Sequence, residues 1–285
     1  MKNTTNNNSR RSKRRVNSKA FGLFAGLLIY LYVFAQQDLP FLSGEQLDFS
    51  VHYKYGIVMM KAGNAKYTIQ DDTFEGKPVI RTSLTFKTTG VVDAAFKVKD
   101  TLYSYFTPEL IPVFHRKYLH EGKAHYIEDI EYRKFSSTST LVQSKRIKNE
   151  SVKFDTLLVA KGMGYDMLSI FTFVRTLDYS TLNTGDKFGL ISIVGKDVIP
   201  LNVRYMGQAI LDKGSTKYKT LRFEIDIIDR AFTEPKTAME IWVSDDKNHI
   251  PVKLRAKLKI GAAEAELSSV KNLKYPFDAK IEKHQ

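Results

Sequence analysis

Two stretches of this sequence gather side chains able to do chemistry. The first, EIWVSDDKNHIPVKLRAKLKI from Glu240 to Ile260, holds the single tryptophan, Trp242, adjacent aspartates, a histidine and a run of basic residues. The second, FHRKYLHEGKAHYIEDIEY, spaces His115, His120 and His125 five apart and follows them with Glu128, Asp129 and Glu131. Three imidazoles near carboxylates could hold zinc. Five is an odd spacing, however, so successive members of the set point to opposite faces of a strand, and Glu121-Gly122 between them reads as a hairpin turn. None of the compact helical or knuckle spacings that make a zinc site is present, and neither a metal nor a cofactor is expected.

Other catalytic patterns are equally thin. No serine or threonine occupies a glycine elbow and there is no phosphate-binding loop. GMGYD, Gly162 to Asp166, could present backbone amides to an anion, but it reads more simply as the joint between a strand and a helix. The pairs Asp71-Asp72 and Asp245-Asp246 sit beside turns, where aspartate is favoured for local hydrogen bonding. No catalytic residue is assigned.

The elements that must position these groups have period two. Leu47, Phe49, Val51 and Tyr53 alternate with polar residues, as do Leu201, Val203 and Tyr205, and Leu221, Phe223, Ile225 and Ile227. These are half-buried antiparallel strands. Turn signals separate them at EGKP (75–78), HEGK (120–123), NTGD (183–186) and DKGS (212–215). The spacing predicts a mainly β fold, a curled antiparallel sheet or open β-barrel of roughly ten or more strands. One segment departs from it. In GYDMLSIFTFVRTLDY, about residues 164–179, Met167, Phe171 and Val174 recur at helical spacing with Asp166 able to cap the first turn, so a single helix packs on the sheet and plugs its core.

The strand period also reads the first stretch. Met239, Ile241 and Val243 share one face, and Ile250 through Ile260 alternate apolar with Lys253, Arg255, Lys257 and Lys259, leaving SDDKNH as the turn of a hairpin. Glu264 and Glu266 of the following strand would face the basic row. Trp242 falls on the opposite face from Ile241 and Val243 and is unexplained by the hairpin. From Ala94 to Phe106, Phe96, Val98, Leu102 and Phe106 would lie on one face and Lys97, Lys99, Tyr103 and Tyr105 on the other, a surface suited to a polar or anionic contact. Trp242, Tyr103, Tyr105, Lys97 and Lys99 are thus the candidate surface or ligand contacts.

Composition bounds the class. The 285 residues are 43% hydrophobic, enough for a core, and carry no cysteine, which excludes disulfides, cysteine lipidation and thiolate metal sites. The net charge of +13 is concentrated at the start: seven basic residues and no acid precede residue 36, leaving +6 for residues 36 to 285. No nucleic-acid partner is expected. The basic start runs into an uncharged apolar stretch, Ala20 to Ala35, with Val33 and Ala35 at the −3 and −1 positions of a cleavage site. As a helix it would rise about 24 Å, against a hydrocarbon core of roughly 30 Å. Residues 1–35 are therefore expected to be a signal peptide or an amino-terminal membrane anchor, with residues 20–35 in the inner membrane in the second case. Residues 36–285 follow as a single β-rich domain, exported to the periplasm by the general secretory route.

Several segments together, GEQLDFSVHYKYG (44–56), KAGNAKY (61–67), TTGVVDAAFKVKDTLYSYF (88–106) and EIWVSDDKNHIPVKLRAKLKIG (240–261), resemble an uncharacterised bacterial envelope family, domain of unknown function 3108, in the form common in Bacteroidetes. The resemblance runs from about Leu42 to Tyr275. It implies an exported, β-rich, single-domain envelope protein and carries over no catalytic or binding residue. Export, aromatic richness and the absence of a catalytic constellation favour a non-enzymatic periplasmic protein holding a lipid, a lipoprotein acyl chain or another amphiphilic envelope component in the curled sheet. The alternatives are a scaffold or assembly factor acting through envelope-protein contacts and, more weakly, an envelope-polymer hydrolase.

Overall fold

The computed structural model describes residues 38–227, 236–258 and 260–281. The expected signal or anchor in residues 1–35, and Lys259 of the basic row, lie outside the described residues. Among the described residues no helix is long and apolar enough to cross a membrane.

The chain runs β1 (Gln46–Tyr55), β2 (Val58–Phe74), β3 (Lys77–Thr88), α1 (Gly90–Ala95), β4 (Lys99–Phe106), β5 (Pro112–Glu121), β6 (Ala124–Phe135), β7 (Ser139–Lys148), β8 (Ser151–Lys161), β9 (Gly164–Tyr165) and α2 (Met167–Val174). It continues through β10 (Lys187–Val194), β11 (Asp197–Lys213), β12 (Thr216–Ile227), β13 (Lys236–Ser244), β14 (Pro251–Lys257), β15 (Ala262–Lys271) and β16 (Lys280–Ile281). All belong to one sheet in which sequence neighbours pair as antiparallel hairpins, β8 back to β1 on one side and β15 back to β10 on the other. The two halves join where β1 pairs with β15, Val51 opposite Ala265. β9 adds to β10 in parallel.

The apolar parity read from the sequence is the inner face: Leu47, Phe49, Val203, Tyr205, Leu221 and Phe223 are buried. The sheet curls on itself until its ends overlap. Ile193 of β10 packs on Ile130 of β6 and Val142 of β7, while Ser144 Oγ donates to the Gly195 carbonyl in the β10–β11 turn at 2.6 Å. The result is a nearly closed barrel sealed by side chains at the overlap. The expected turns are where they were placed, with Gly76, Gly122 and Gly214 at hairpin turns in the left-handed region that favours glycine.

Two refinements concern helices. The expected helix is shorter than residues 164–179: Gly164–Tyr165 is strand, and Tyr179–Thr181 is a separate 3₁₀ turn. Asp166 caps α2 as its position suggested, accepting from the Leu168 and Ser169 amides at 3.0 Å each. Leu168 and Phe171 pack toward Leu47, Phe49 and Tyr67, and Ile170 and Val174 toward the β10–β13 half, so α2 lies between the halves and fills one end of the lumen. The short α1 was not anticipated. It interrupts the alternation read from Ala94 onward, so β4 begins only at Lys99 and Phe96, expected to share a face with Leu102 and Phe106, is largely exposed while those two are buried.

Candidate functional site

Inside the curl of the β10–β14 half lies an apolar cavity of about 380 Å³. Strand parity makes it: Phe188 and Val194 of β10, Val203 of β11, and Phe223 and Ile225 of β12 project inward from consecutive strands. On the other side α2 contributes Met167, Ile170, Phe171 and Val174. Ser192 and the Tyr179 hydroxyl are the polar groups of the lining, and Tyr179 donates to the Val174 carbonyl. Burial pushes the Tyr179 phenol well above its ordinary value, so it stays protonated and keeps that bond. The volume falls within the roughly 300–1,000 Å³ of small-molecule sites. Met167, 48% exposed, and Ile227, 38% exposed, belong to the lining and mark where the cavity meets solvent.

Beside it, on the inner face of β4–β6, sits a buried serine, histidine and aspartate. Ser104 Oγ lies 2.8 Å from His115 Nδ1 and donates to Asp166 Oδ1 at 2.6 Å, while His115 Nδ1 is 3.1 Å from the same carboxylate oxygen. A catalytic relay needs the imidazole between the other two, one nitrogen to each. Here one nitrogen serves both, the serine proton is committed to the carboxylate, and Nε2 has no hydrogen-bond partner among the described residues. Asp166 also accepts from Tyr132 Oη at 3.0 Å and from Ser169 Oγ. Burial alone would raise its carboxyl, but His115 and the hydrogen bonds from His115, Ser104 and Ser169 more than offset this and hold it well below the usual carboxylate range. The cluster locks the first turn of α2 onto the sheet and none of its members lines the cavity.

The other end of α2 is locked by charge. Buried Arg175 makes a bidentate pair with buried Glu45, Nη1 to Oε1 at 2.5 Å and Nη2 to Oε2 at 3.0 Å, and donates to the Asn248 carbonyl from Nε at 3.2 Å and Nη2 at 3.0 Å. Asn248 in turn donates through Nδ2 to the Pro276 carbonyl at 2.9 Å and accepts from the Tyr275 amide at 3.1 Å. Asp246 accepts from Ser244 Oγ at 2.9 Å and the Ala279 amide at 3.1 Å. The SDDKNH turn is therefore an anchor that ties α2 and the chain's last described segment to the barrel.

The hairpin around that turn has the expected register, with Lys253 opposite Glu266 and Arg255 opposite Glu264. Lys253 Nζ lies 2.7 Å from Glu264 and 2.9 Å from Glu266. Burial alone would lower its ammonium pKa, but these hydrogen bonds hold it above its ordinary value. Trp242 is on the outer face between Arg222 and Lys253, whose charges stand 5.8 and 5.9 Å from its ring. Each such contact is worth about 0.5–1 kcal/mol at an exposed site, so Trp242→Ala should cost about 1–2 kcal/mol in urea unfolding.

The other candidate contacts also lie outside. Tyr103 stacks under Arg81 at 5.7 Å and Tyr105 packs on Phe74 at 5.1 Å, while Lys97 and Lys99 are exposed near the β5–β6 turn. None of the five lines the cavity. Of the spaced histidines, His115 is inside and His120 outside, as odd spacing requires. His120 and His125 instead share a face, rings 4.6 Å apart, because they are direct cross-strand partners about the Gly122 turn. Asp129 pairs outside with Arg116 at 2.6 Å, and Glu128 inside with Lys117 at 2.8 Å. Sequence reading missed Arg175, Glu45 and the Ser104 cluster. The available signal was polar residues at inward parity, Ser104 between Leu102 and Phe106 and His115 two before Lys117.

A family model described as "Protein of unknown function (DUF3108)" matches residues 48–268. Among solved structures, a beta-barrel-like protein of domain of unknown function DUF1849 from Brucella abortus aligns with TM-score 0.56 at 11% identity, covering 82% of this chain and 99% of its own. That likeness is one of fold. A protein described as a "putative lipoprotein" from Parabacteroides distasonis aligns with TM-score 0.32 at 10% identity, over 82% of this chain and 97% of its own. No curated protein matches the sequence. The family model spans well over half of the chain, and the chain belongs to the DUF3108 family of proteins of unknown function.

Proposed function

We propose that this protein is a non-enzymatic carrier of the cell envelope that holds an apolar or amphiphilic molecule, such as a lipid or a lipoprotein acyl chain, in the curl of its sheet. The observation that carries this reading is the apolar cavity between α2 and β10–β14. A lining this apolar gains free energy when an apolar guest covers it and leaves water. Export to the periplasm rests on the basic start and apolar run of the first 35 residues. A polymer hydrolase would need two carboxylates facing one cleft, and the lining of this cavity contains no carboxylate.

Ala238 lies in the cavity wall and is partly exposed, so the wall there can accept a larger side chain. Ala238→Trp should fill the cavity and abolish uptake of a fluorescent fatty acid, with the thermal midpoint little changed. Native mass spectrometry of the protein purified from its host should show an adduct that the variant lacks. A wild-type chain that carries no adduct and takes up no fatty acid would sink the carrier reading.

A further inference from the structure

The alternation read through Ile260 outlasts the strand that carries it. β14 ends at Lys257, and Leu258 and Ile260 are exposed in the β14–β15 turn. The β1–β2 turn stands beside it, with Tyr53 Oη donating to the Ile260 carbonyl at 3.0 Å. That hairpin tip exposes Tyr55, Ile57, Val58, Met59 and Met60 in succession, and Ile57 is 102% exposed. Single exposed apolar residues need no explanation, but five non-glycine ones in succession over both faces of a hairpin tip, beside two more, form a patch.

The patch is at the cavity's open end. A cross-strand row runs from Met239 in the cavity wall through Ala256, Ala263 and Tyr53 to Met60. Partners in such a row share a face, so the inner surface that lines the cavity continues onto the exposed hairpin. The two hairpin segments themselves carry charge of one sign, and the nearest acid on a neighbouring element is Asp93 of α1, which is held by Thr88 Oγ1 at 2.6 Å. No Asp or Glu occurs from Phe49 to Gln70 or from Lys247 to Ala263, whereas Lys54, Lys61 and Lys257 flank the two turns. None of those three lysines is in an ion pair among the described residues. This contrasts with the outer face of β12–β15, where Arg222, Lys253 and Arg255 are all paired with glutamates.

We infer that the hairpin tip from Tyr55 to Met60, with Leu258 and Ile260 beside it, forms a membrane-docking tip, with the apolar side chains entering the headgroup and acyl boundary of a bilayer and the lysines meeting anionic headgroups. Burial of apolar side chains plus attraction of flanking lysines is the physics of interfacial binding. A projecting turn with a fully exposed isoleucine fits a deformable lipid surface better than the flat or grooved face of a folded protein. Docking at this end would place the cavity mouth on the lipid, so the inference extends the carrier reading while standing on different residues.

The full chain lacks cysteine, so Ile57→Cys and, at the opposite end of β2, Thr73→Cys each accept one environment-sensitive fluorophore. With vesicles of phosphatidylethanolamine and phosphatidylglycerol, the emission of the probe at 57 should shift to the blue and that at 73 should not move, even if residues 20–35 are themselves in the bilayer. Phosphatidylcholine vesicles at physiological salt should give a smaller shift. Adding Lys61→Gln should weaken the apparent partition read at 57 about fivefold. The inference is overturned if the probe at 57 keeps its aqueous emission, if both probes shift equally, or if photo-crosslinking from 57 in cells captures protein instead of lipid. Native mass spectrometry of the same variants separates the two readings. An occupied cavity without a shift at 57 removes docking alone, and a shift with an empty cavity removes the carrier alone.

Discussion

Arg175→Met should destabilise the protein by about 3–5 kcal/mol, read as a fall in the urea midpoint at unchanged slope. The guanidinium is buried between Glu45, the Asn248 carbonyl and the Phe41 ring, which lies 5.2 Å away. Removing it strands the Glu45 carboxylate in the interior without a counter-charge, and the cost is mostly that orphaned charge. Arg175→Met combined with Glu45→Leu should therefore recover much of the loss, because the pair itself contributes little net stability against well-packed apolar replacements. A double variant no better than the single one would show that the arginine acts through its bonds to the Asn248 turn.

The second large effect belongs to Asp166. Asp166→Ala removes the helix cap and leaves Ser104, His115, Tyr132 and Ser169 with buried polar atoms short of a partner. A lost cap costs typically about 1 kcal/mol and each orphaned buried group about 1–3, so a total upward of about 3 kcal/mol is expected. The same residue gives stability a pH dependence. Its folded carboxyl is held below the value it has in the unfolded chain, so the stabilisation is complete above the ordinary carboxylate range and is lost as pH falls through the depressed folded value. Glu128, held low by Lys117 and Arg146 against the opposing effect of burial, adds to the same acid limb. Thermal midpoints measured downward from pH 5 should fall steeply for the wild type. Asp166→Asn, which can cap but cannot ionise, should start lower and fall less.

What the sequence could and could not show follows from the range of each interaction. Strand parity is local, so the inner face, the hairpin at 239–260 and the facing of Lys253 and Arg255 by two glutamates were legible. The cap at Asp166 was legible for the same reason. The Arg175–Glu45 pair spans 130 residues and the Ser104–Asp166 bond spans 62, and no periodicity announces either. Aromatic content did not distinguish a filled core from a lined lumen, because the same inward parity does both. Phe223 faces the cavity, while Leu47 and Phe49 in an identical pattern pack against α2. Leu258 and Ile260 misled for the opposite reason, since their alternation continues past the last residue that pairs.

The seam between β1 and β15 also sets an order of assembly. Among the described strands β1 is the first to be synthesised, and one of its two neighbours comprises residues 262–271. Strands β1 to β8 form a meander whose contacts are local and can zip as they appear. Until β15 arrives, β1 presents a bare row of backbone donors and acceptors, and Glu45 and Arg175 sit in a half-formed interior. The β1–β15 seam therefore closes last, and a chain shortened by even its last two dozen residues would hold an open edge where the intact protein has a seam.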